Sequence, residues 1–289
     1  MRRVGVVGHR GYDELPAILP GFVAQAQALG LAIAFERDLH EIAGGGELLE
    51  SPDDLDVLVT LGGDGTLLRG ARWLDARGTP ILGVNLGRLG FLTSCAGDEA
   101  TTALERWAKG DYRAEARMAL EAVAFAHDGT VASRFLALND VVLHKGGFAR
   151  VLRLRVSIDG ESIGSYSADG IVVSTPTGST GYSLSAGGPV VVPTVESLLL
   201  TPVSPHTLAI RPLVLPPTSV VRLQPEDGPE ELLVTADGQV GAHFRAGQVL
   251  QVRRAPDPVR IVRFPGTSFF DVLRQKLGWG GLEARNEAT

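Results

Sequence analysis

The stretch Leu55-Asp56-Val57-Leu58-Val59-Thr60-Leu61-Gly62-Gly63-Asp64-Gly65-Thr66-Leu67-Leu68-Arg69-Gly70-Ala71-Arg72-Trp73 changes its period in the middle. Residues 55–61 form a nearly continuous apolar run, the pattern of a strand buried on both faces. Gly-Gly-Asp-Gly breaks that run, and over residues 66–76 the apolar positions recur at helical spacing. A buried strand passing through glycines into an amphipathic helix is the repeating unit of a parallel sheet flanked by helices. The same alternation extends outward in both directions. Residues 4–7, 31–35 and 81–84 read as strands, and residues 17–29 as a helix.

From about residue 117 the texture becomes period-two segments punctuated by Asp-Gly pairs at 128–129, 159–160, 169–170 and 237–238, which predicts antiparallel β structure with hairpin turns. Prolines clustered between residues 189 and 229 confine the adjoining segments to edges and turns. Residues 269–277 are helical in pattern again. The expected organisation is an α/β domain over 1–115 carrying the Gly-Gly-Asp-Gly-Thr turn and a β-rich domain over 116–265. A C-terminal helix within 266–289 is expected to return and pack on the first domain.

With 289 residues and 44% hydrophobic content, the chain can bury enough surface for two compact domains. A net charge of -6 offers nothing to a phosphate backbone, so nucleic acid is not an expected partner. The single cysteine, Cys95, excludes an internal disulfide framework and a cysteine-rich zinc site and suits a reducing compartment. No run approaches the roughly 18 apolar residues of a membrane span, and the apolar run near the N-terminus is too short for a signal peptide. A cytoplasmic protein without a membrane partner is expected.

Glycine-rich strand-to-helix turns usually offer bare amides and a helix N-terminus to phosphate. Asp64 puts a carboxylate there, which repels phosphate. Either it binds a metal that bridges phosphates, or it takes a proton from an attacking hydroxyl. The blander alternative is that Asp64 or Thr66 caps the following helix. The turn lacks the Gly-Lys-Ser/Thr of a P-loop, and Gly5, Gly8 and Gly11 have the wrong spacing for a dinucleotide fingerprint.

The densest polar run is residues 169–189, from Asp169-Gly170 through Thr175-Pro176-Thr177-Gly178-Ser179-Thr180-Gly181-Tyr182-Ser183-Leu184-Ser185 to Pro189. Hydroxyls both donate and accept, and glycines admit close backbone approach, so this loop suits a nucleotide, or is simply a loop. Tyr182 could stack on a base. Asn139-Asp140, before the apolar Val141-Val142-Leu143, could hold two ribose hydroxyls or merely make a turn. Arg88, between two glycines, is a candidate phosphate contact. His206 and Asp237 read first as structural, and Trp73, Trp107 and Trp279 as packing.

Taken together, these blocks resemble the bacterial NAD kinase family. The resemblance runs from about residue 55 to 281 and rests on the turn at 62–66 and on Asn85-Leu86-Gly87-Arg88-Leu89-Gly90-Phe91-Leu92. Residues 169–189, Ser204-Pro205-His206, Arg211-Pro212-Leu213 and residues 273–280 complete it. It implies an N-terminal α/β domain, a β-rich C-terminal domain, NAD bound in the cleft between them, and phosphorylation of the adenosine 2′-hydroxyl by ATP, polyphosphate or a similar donor. Asp64 matches the catalytic aspartate. Gly65, Asn139, Asp140, Asp169, Thr177, Thr180, Gly181, Tyr182 and Ser185 match NAD contacts, and Gly62, Gly63, Thr66, Arg69 and Arg88 are the candidates for the donor phosphates. A divalent ion, Mg2+, is the expected cofactor, its protein ligands unspecified, and a homodimer or homotetramer the expected assembly. Asp140 stands where the family usually has Glu, and Gly181 where it usually has Ala. A lipid or sphingoid-base kinase sharing the Gly-Gly-Asp-Gly turn, and a non-catalytic NAD sensor, are the alternatives.

Overall fold

The computed structural model describes residues 1–75, 77–88, 90–146, 152–207, 209–227, 232–266 and 268–278, and Trp279 lies outside them. The chain divides into two compact units, Met1–Ala116 with Arg260–Thr289, and Arg117–Val259.

The first unit runs β1 (Arg3–Gly8), α1 (Leu15–Ala28), β2 (Ala32–Phe35), α2 (Arg37–Ala43), β3 (Glu47–Leu48), β4 (Val57–Leu61), α3 (Asp64–Leu74), β5 (Ile81–Asn85), β6 (Cys95–Ala96), α4 (Ala100–Lys109) and β7 (Arg113–Arg117). The second runs β8 (Leu120–Phe125), β9 (Val131–Ala137), β10 (Asp140–Lys145), β11 (Leu152–Ile158), β12 (Glu161–Ala168), β13 (Gly170–Ser174), α5 (Tyr182–Ser185), β14 (Leu198–Val203) and β15 (Leu213–Leu215). It continues through β16 (Val221–Asp227), β17 (Leu232–Ala236), β18 (Val240–Phe244) and β19 (Val249–Arg254). β20 (Val259–Arg263) and α6 (Phe269–Leu277) then belong with the first unit.

Among the described residues the first unit holds one sheet in the order β3-β2-β1-β4-β5-β20-β7, with β6 also paired to β5. The pairs β1–β2, β1–β4 and β4–β5 are parallel. Alternate residues of β4 face opposite layers. Val57, Val59 and Leu61 join the cluster formed with Leu19 and Phe22 of α1, Leu39 of α2, and Leu104 and Trp107 of α4. On the other face α3 presses close at Gly70, where a Cβ would come within 3.0 Å of Leu58 and Thr60 side-chain atoms. From β1 the chain proceeds to β2 and β3 on one side and to β4 and β5 on the other. The carboxyl ends of β1 and β4, at Gly8 and Leu61, therefore flank the topological switch point, where open α/β sheets take their ligands.

Among the described residues the second unit is a sandwich of two six-stranded sheets, β15-β14-β13-β10-β17-β18 and β12-β11-β16-β19-β8-β9. Alternate residues of both, such as Val141 and Leu143 of one and Leu154 and Val156 of the other, meet in a single core.

Three Asp-Gly pairs make the expected hairpin turns, with φ above 50° at both residues of Asp159-Gly160 and Asp237-Gly238. Asp169-Gly170 does not. There the chain passes from β12 in one sheet to β13 in the other, and Gly170 lies so near β10 that a Cβ would sit 2.7 Å from the Leu143 carbonyl oxygen. The β-rich domain was expected to run to residue 265. The second unit instead closes at Val259, and β20 pairs in parallel with β5 through Ile261 and Ile81. Val262 and Phe264 are buried in the first unit's core, and a period-two pattern does not say which sheet a strand joins. Phe269 of α6 stacks 5.9 Å from Phe91, centroid to centroid, within the same unit.

Candidate active site

Between β4 and α3 the turn is Gly62-Gly63. A Cβ on Gly62 would overlap the Thr66 hydroxyl, which is buried against it rather than presented at the surface where a phosphate contact was expected. Gly62 N–H donates to the Val84 carbonyl (3.0 Å) and Leu86 N–H to the Gly62 carbonyl (3.3 Å), tying the turn to the end of β5. Tyr12 covers it: a Cβ on Gly62 would lie 3.3 Å from its ring, and one on Gly63 3.5 Å from its hydroxyl.

Gly63 is the N-cap of α3 and has no side chain to cap it with, and the Asp64 carboxylate is turned elsewhere. Asp64 is thus not a cap, which disposes of the blander reading. Its carboxylate turns to the loop after β5, where Oδ2 accepts the Phe91 N–H at 2.8 Å and Oδ1 the Leu92 N–H at 2.9 Å. Gly90 forms the floor of this seat, because a Cβ there would overlap Oδ1. Two amides and the positive end of α3 face the group, and each of its oxygens keeps a further lone pair.

At the switch point Glu36 joins β1 to α3. Its Oε1 accepts the Gly8 N–H at 2.5 Å, and the Arg69 guanidinium forks onto both its oxygens at 2.7 and 2.8 Å while also donating to the Gly8 carbonyl at 2.6 Å. Arg69, expected to contact donor phosphate, thus has three of its five N–H donors committed to structure. Arg88 and Gly65 are exposed.

In the second unit Asn139 and Asp140 open β10, and the hydroxyl loop follows β13, the strand paired to it. Asp140 is 6% exposed. An alanine Cβ at Gly181 would lie 3.8 Å from Asp140 Oδ2 and 4.0 Å from Asn139 Nδ2, so these three positions converge. The loop's inner hydroxyls hold the loop itself: Thr175 Oγ1 donates to the Leu138 carbonyl at 2.6 Å, and Ser183 and Thr201 share a bond of 2.9 Å. Thr177, expected to meet NAD, is buried with its hydroxyl accepting from Arg117 at 3.2 Å. Thr180 lies at the rim, Ser185 is exposed, and Tyr182, 44% exposed, is no core residue and is presented for stacking.

Asp169 is not part of that convergence. It precedes β13 at the end opposite Ser174, so the five extended residues of that strand, roughly 20 Å from Cα to Cα, separate it from Thr175. It pairs instead with Lys145 Nζ at 2.6 Å, and the exposed His206 lies at the same end, its N–H bonded to the Ser167 carbonyl at 2.9 Å.

Residues 47–112 match the ATP-NAD kinase N-terminal domain and residues 138–264 the ATP-NAD kinase C-terminal domain. An NAD kinase of Gemmatimonas aurantiaca is 61% identical over 288 residues, 99% of this chain and all of that protein. The chain belongs to the NAD kinase family. An NAD kinase of Syntrophotalea carbinolica is 40% identical over 284 residues, 97% of this chain and 99% of its own. Yeast NADH kinase complexed with NADH superposes with a TM-score of 0.88 at 26% identity, over 97% of this chain and 88% of that one. An NAD kinase from Archaeoglobus fulgidus in complex with ATP superposes with a TM-score of 0.72 at 26% identity, over 95% and 98%.

Several residues of this NAD kinase family site carry no sequence signal of their own. The amides of Phe91 and Leu92 are backbone groups, visible only as part of a glycine-rich loop after a strand. Glu36 reads as an ordinary helix-start acid. Asp237 sits in a hairpin turn as expected, yet its Oδ1 also accepts the Asn139 N–H at 2.7 Å and its Oδ2 the Leu138 N–H at 3.3 Å, fixing the entry to β10. The Asp-Gly turn signal hid that second task.

Burial, with the neighbouring Asp237 charge adding to it, pushes the Asp140 carboxyl up to about 7. Its unfolded value is about 3.9, so between these pH values the folded chain binds a proton that the unfolded chain releases. The cost of keeping Asp140 folded is absent below about pH 4 and complete above about pH 7. Asp140→Asn should therefore raise the thermal midpoint by several degrees at pH 8 and by clearly less at pH 5; an equal gain at both would contradict the assignment. In the first unit, Gly90→Ala should displace the Asp64 carboxylate and lower kcat by about 100-fold in a protein whose circular dichroism is unchanged.

Proposed function

We propose that the adenosine 2′-hydroxyl of NAD attacks the terminal phosphorus of ATP, or of another phosphoryl donor such as polyphosphate, while Asp64 orients and accepts its proton. The new O–P bond forms at the 2′-oxygen, the bond from phosphorus to the donor's bridging oxygen breaks, and the proton passes from Asp64 to solvent. The observation that carries this reading is the Asp64 carboxylate itself, seated on two amides at 2.8 and 2.9 Å beside a phosphate-type turn instead of capping the helix. The relatives supply the two substrates: one solved neighbour is complexed with NADH and another with ATP.

The donor phosphates would rest on the Gly63 amide at the start of α3, with Arg88 and the remaining N–H groups of Arg69 within the same unit; Gly62, whose amide is already given to the Val84 carbonyl, would only shape the turn. Among the described residues no group of three His, Cys, Asp or Glu could enclose a cation. Mg2+ would be carried mainly on the donor phosphates and water, as this ion commonly is, with Asp64 at most a single protein ligand. An ion held there would neutralise charge on the transferring oxygens. Asn139, Asp140, Thr180, Gly181, Tyr182 and Ser185 would hold the dinucleotide, with Thr177 acting through the shape of the loop. A homodimer or homotetramer rests on the family resemblance alone, and Asp169, paired to Lys145 about 20 Å along β13 from Thr175, is left outside the site proposed for one copy. The lone, free Cys95 supports a cytoplasmic location, and no described helix is long and apolar enough to cross a membrane.

The test is NADP formation by purified protein supplied with NAD, ATP and Mg2+. Asp64→Asn should lower kcat by 10²- to 10⁴-fold, about what a positioned base contributes, while calorimetry shows NAD affinity within about threefold of the parent. Near-normal turnover in this variant would sink the assignment.

A further inference from the structure

Arg263 ends β20, the strand that follows the second unit in sequence, and its side chain is 11% exposed. Its Nη2 donates to the Phe91 carbonyl at 2.8 Å and its Nη1 to the Thr93 carbonyl at 2.6 Å, while Nε lies 3.6 Å from Glu115. The Phe91 carbonyl and the Leu92 N–H belong to one peptide group, and that N–H is the donor to Asp64 Oδ1. A buried cation on one side of a peptide plane and a carboxylate on the other polarise it in the same sense, and charge-assisted bonds are the stronger kind. Ser94 Oγ, donating to the Val262 carbonyl at 2.5 Å, fastens the same loop to the same strand.

We infer that Arg263 is a positioning residue for phosphoryl transfer: through the 91–92 peptide it fixes the seat in which the Asp64 carboxylate meets the acceptor hydroxyl. This rests on the reading of Asp64 as the group that handles the acceptor's proton. The bonds of the Arg263 side chain given above run to main-chain carbonyls and to Glu115, not to an atom proposed to contact substrate. Its truncation should therefore leave NAD binding alone and slow the chemical step, because misplacing a reacting group by about 1 Å is enough to cost about 100-fold. A cleft of about 480 Å³, lined by Gly110, Asp111, Tyr112, Arg113, Phe264 and Gly266, opens beside Arg263 and gives a small cation access to the space a truncation would leave.

The experiment compares Arg263→Ala, Arg263→Lys, Asp64→Asn and the Asp64→Asn/Arg263→Ala double variant, with Arg113→Ala as a control on the rim of that cleft. Arg263→Ala is expected to lower kcat by about 10- to 100-fold with the KM for NAD within about twofold. Guanidinium chloride at tens of millimolar should restore part of the loss, and Arg263→Lys, with one compact charge and no fork, should fall between. Arg113→Ala should match the parent. In the Asp64→Asn background the Arg263 effect should shrink to about twofold, since residues acting as a unit are not additive. A folded Arg263→Ala with kcat within twofold of the parent overturns the proposal. So does a loss that follows the thermal midpoint and is not restored by guanidinium. Near-normal turnover of Asp64→Asn would instead be the failure of the underlying reading, and is scored separately.

Discussion

Two backbone N–H groups, those of Phe91 and Leu92, end on the carboxylate of Asp64, and most of the first unit's architecture can be understood as what that contact requires. The carboxylate stands at the carboxyl end of β4, and the amides belong to the loop after β5, its parallel neighbour. Gly62 must let Thr66 fold back under the turn, and Gly90 must leave room for Oδ1. The same loop is tied to β20 by Ser94 and Arg263, so a strand from the far end of the sequence stiffens a seat built by residues near its start. An anionic side chain in a turn of the kind that usually receives phosphate is unfavourable unless something else holds it, and here backbone amides do.

The second unit solves a different problem. Asp140 is buried beside Asp237 at the start of a strand, and the solution is to give the Asp237 carboxylate the backbone amides of Leu138 and Asn139. A hairpin turn thereby becomes an anchor for the two residues proposed to grip ribose. The inner hydroxyls of the loop after β13 satisfy buried backbone groups, as buried polar groups generally must. The outer ones remain for a ligand.

The sequence carried the strand-turn-helix at residues 57–74 because the change from a continuous apolar run to helical spacing is a local property. The antiparallel β character of the second unit was legible for the same reason, in its alternation and its Asp-Gly turns, but its division into two sheets was not. Three further things were not legible. β20 alternates like its antiparallel predecessors, yet joins the parallel sheet, because only tertiary pairing assigns a strand to a sheet. Asp169-Gly170 looks like its hairpin counterparts but is a crossing between sheets. The partners of Asp64 are main-chain groups, which no side-chain pattern announces. Membership of the NAD kinase family, by contrast, was visible in the order of several short blocks, and relatives matching nearly the whole chain bear it out.

The central claim is that the Asp64 seat receives the adenosine 2′-hydroxyl. A crystal structure of the protein with NAD bound tests it most directly. The 2′-oxygen is predicted within hydrogen-bond reach, about 3 Å, of an Asp64 carboxylate oxygen that still accepts the Phe91 and Leu92 amides. A bound NAD with that oxygen elsewhere, and the 3′-hydroxyl or solvent facing Asp64, would contradict the account.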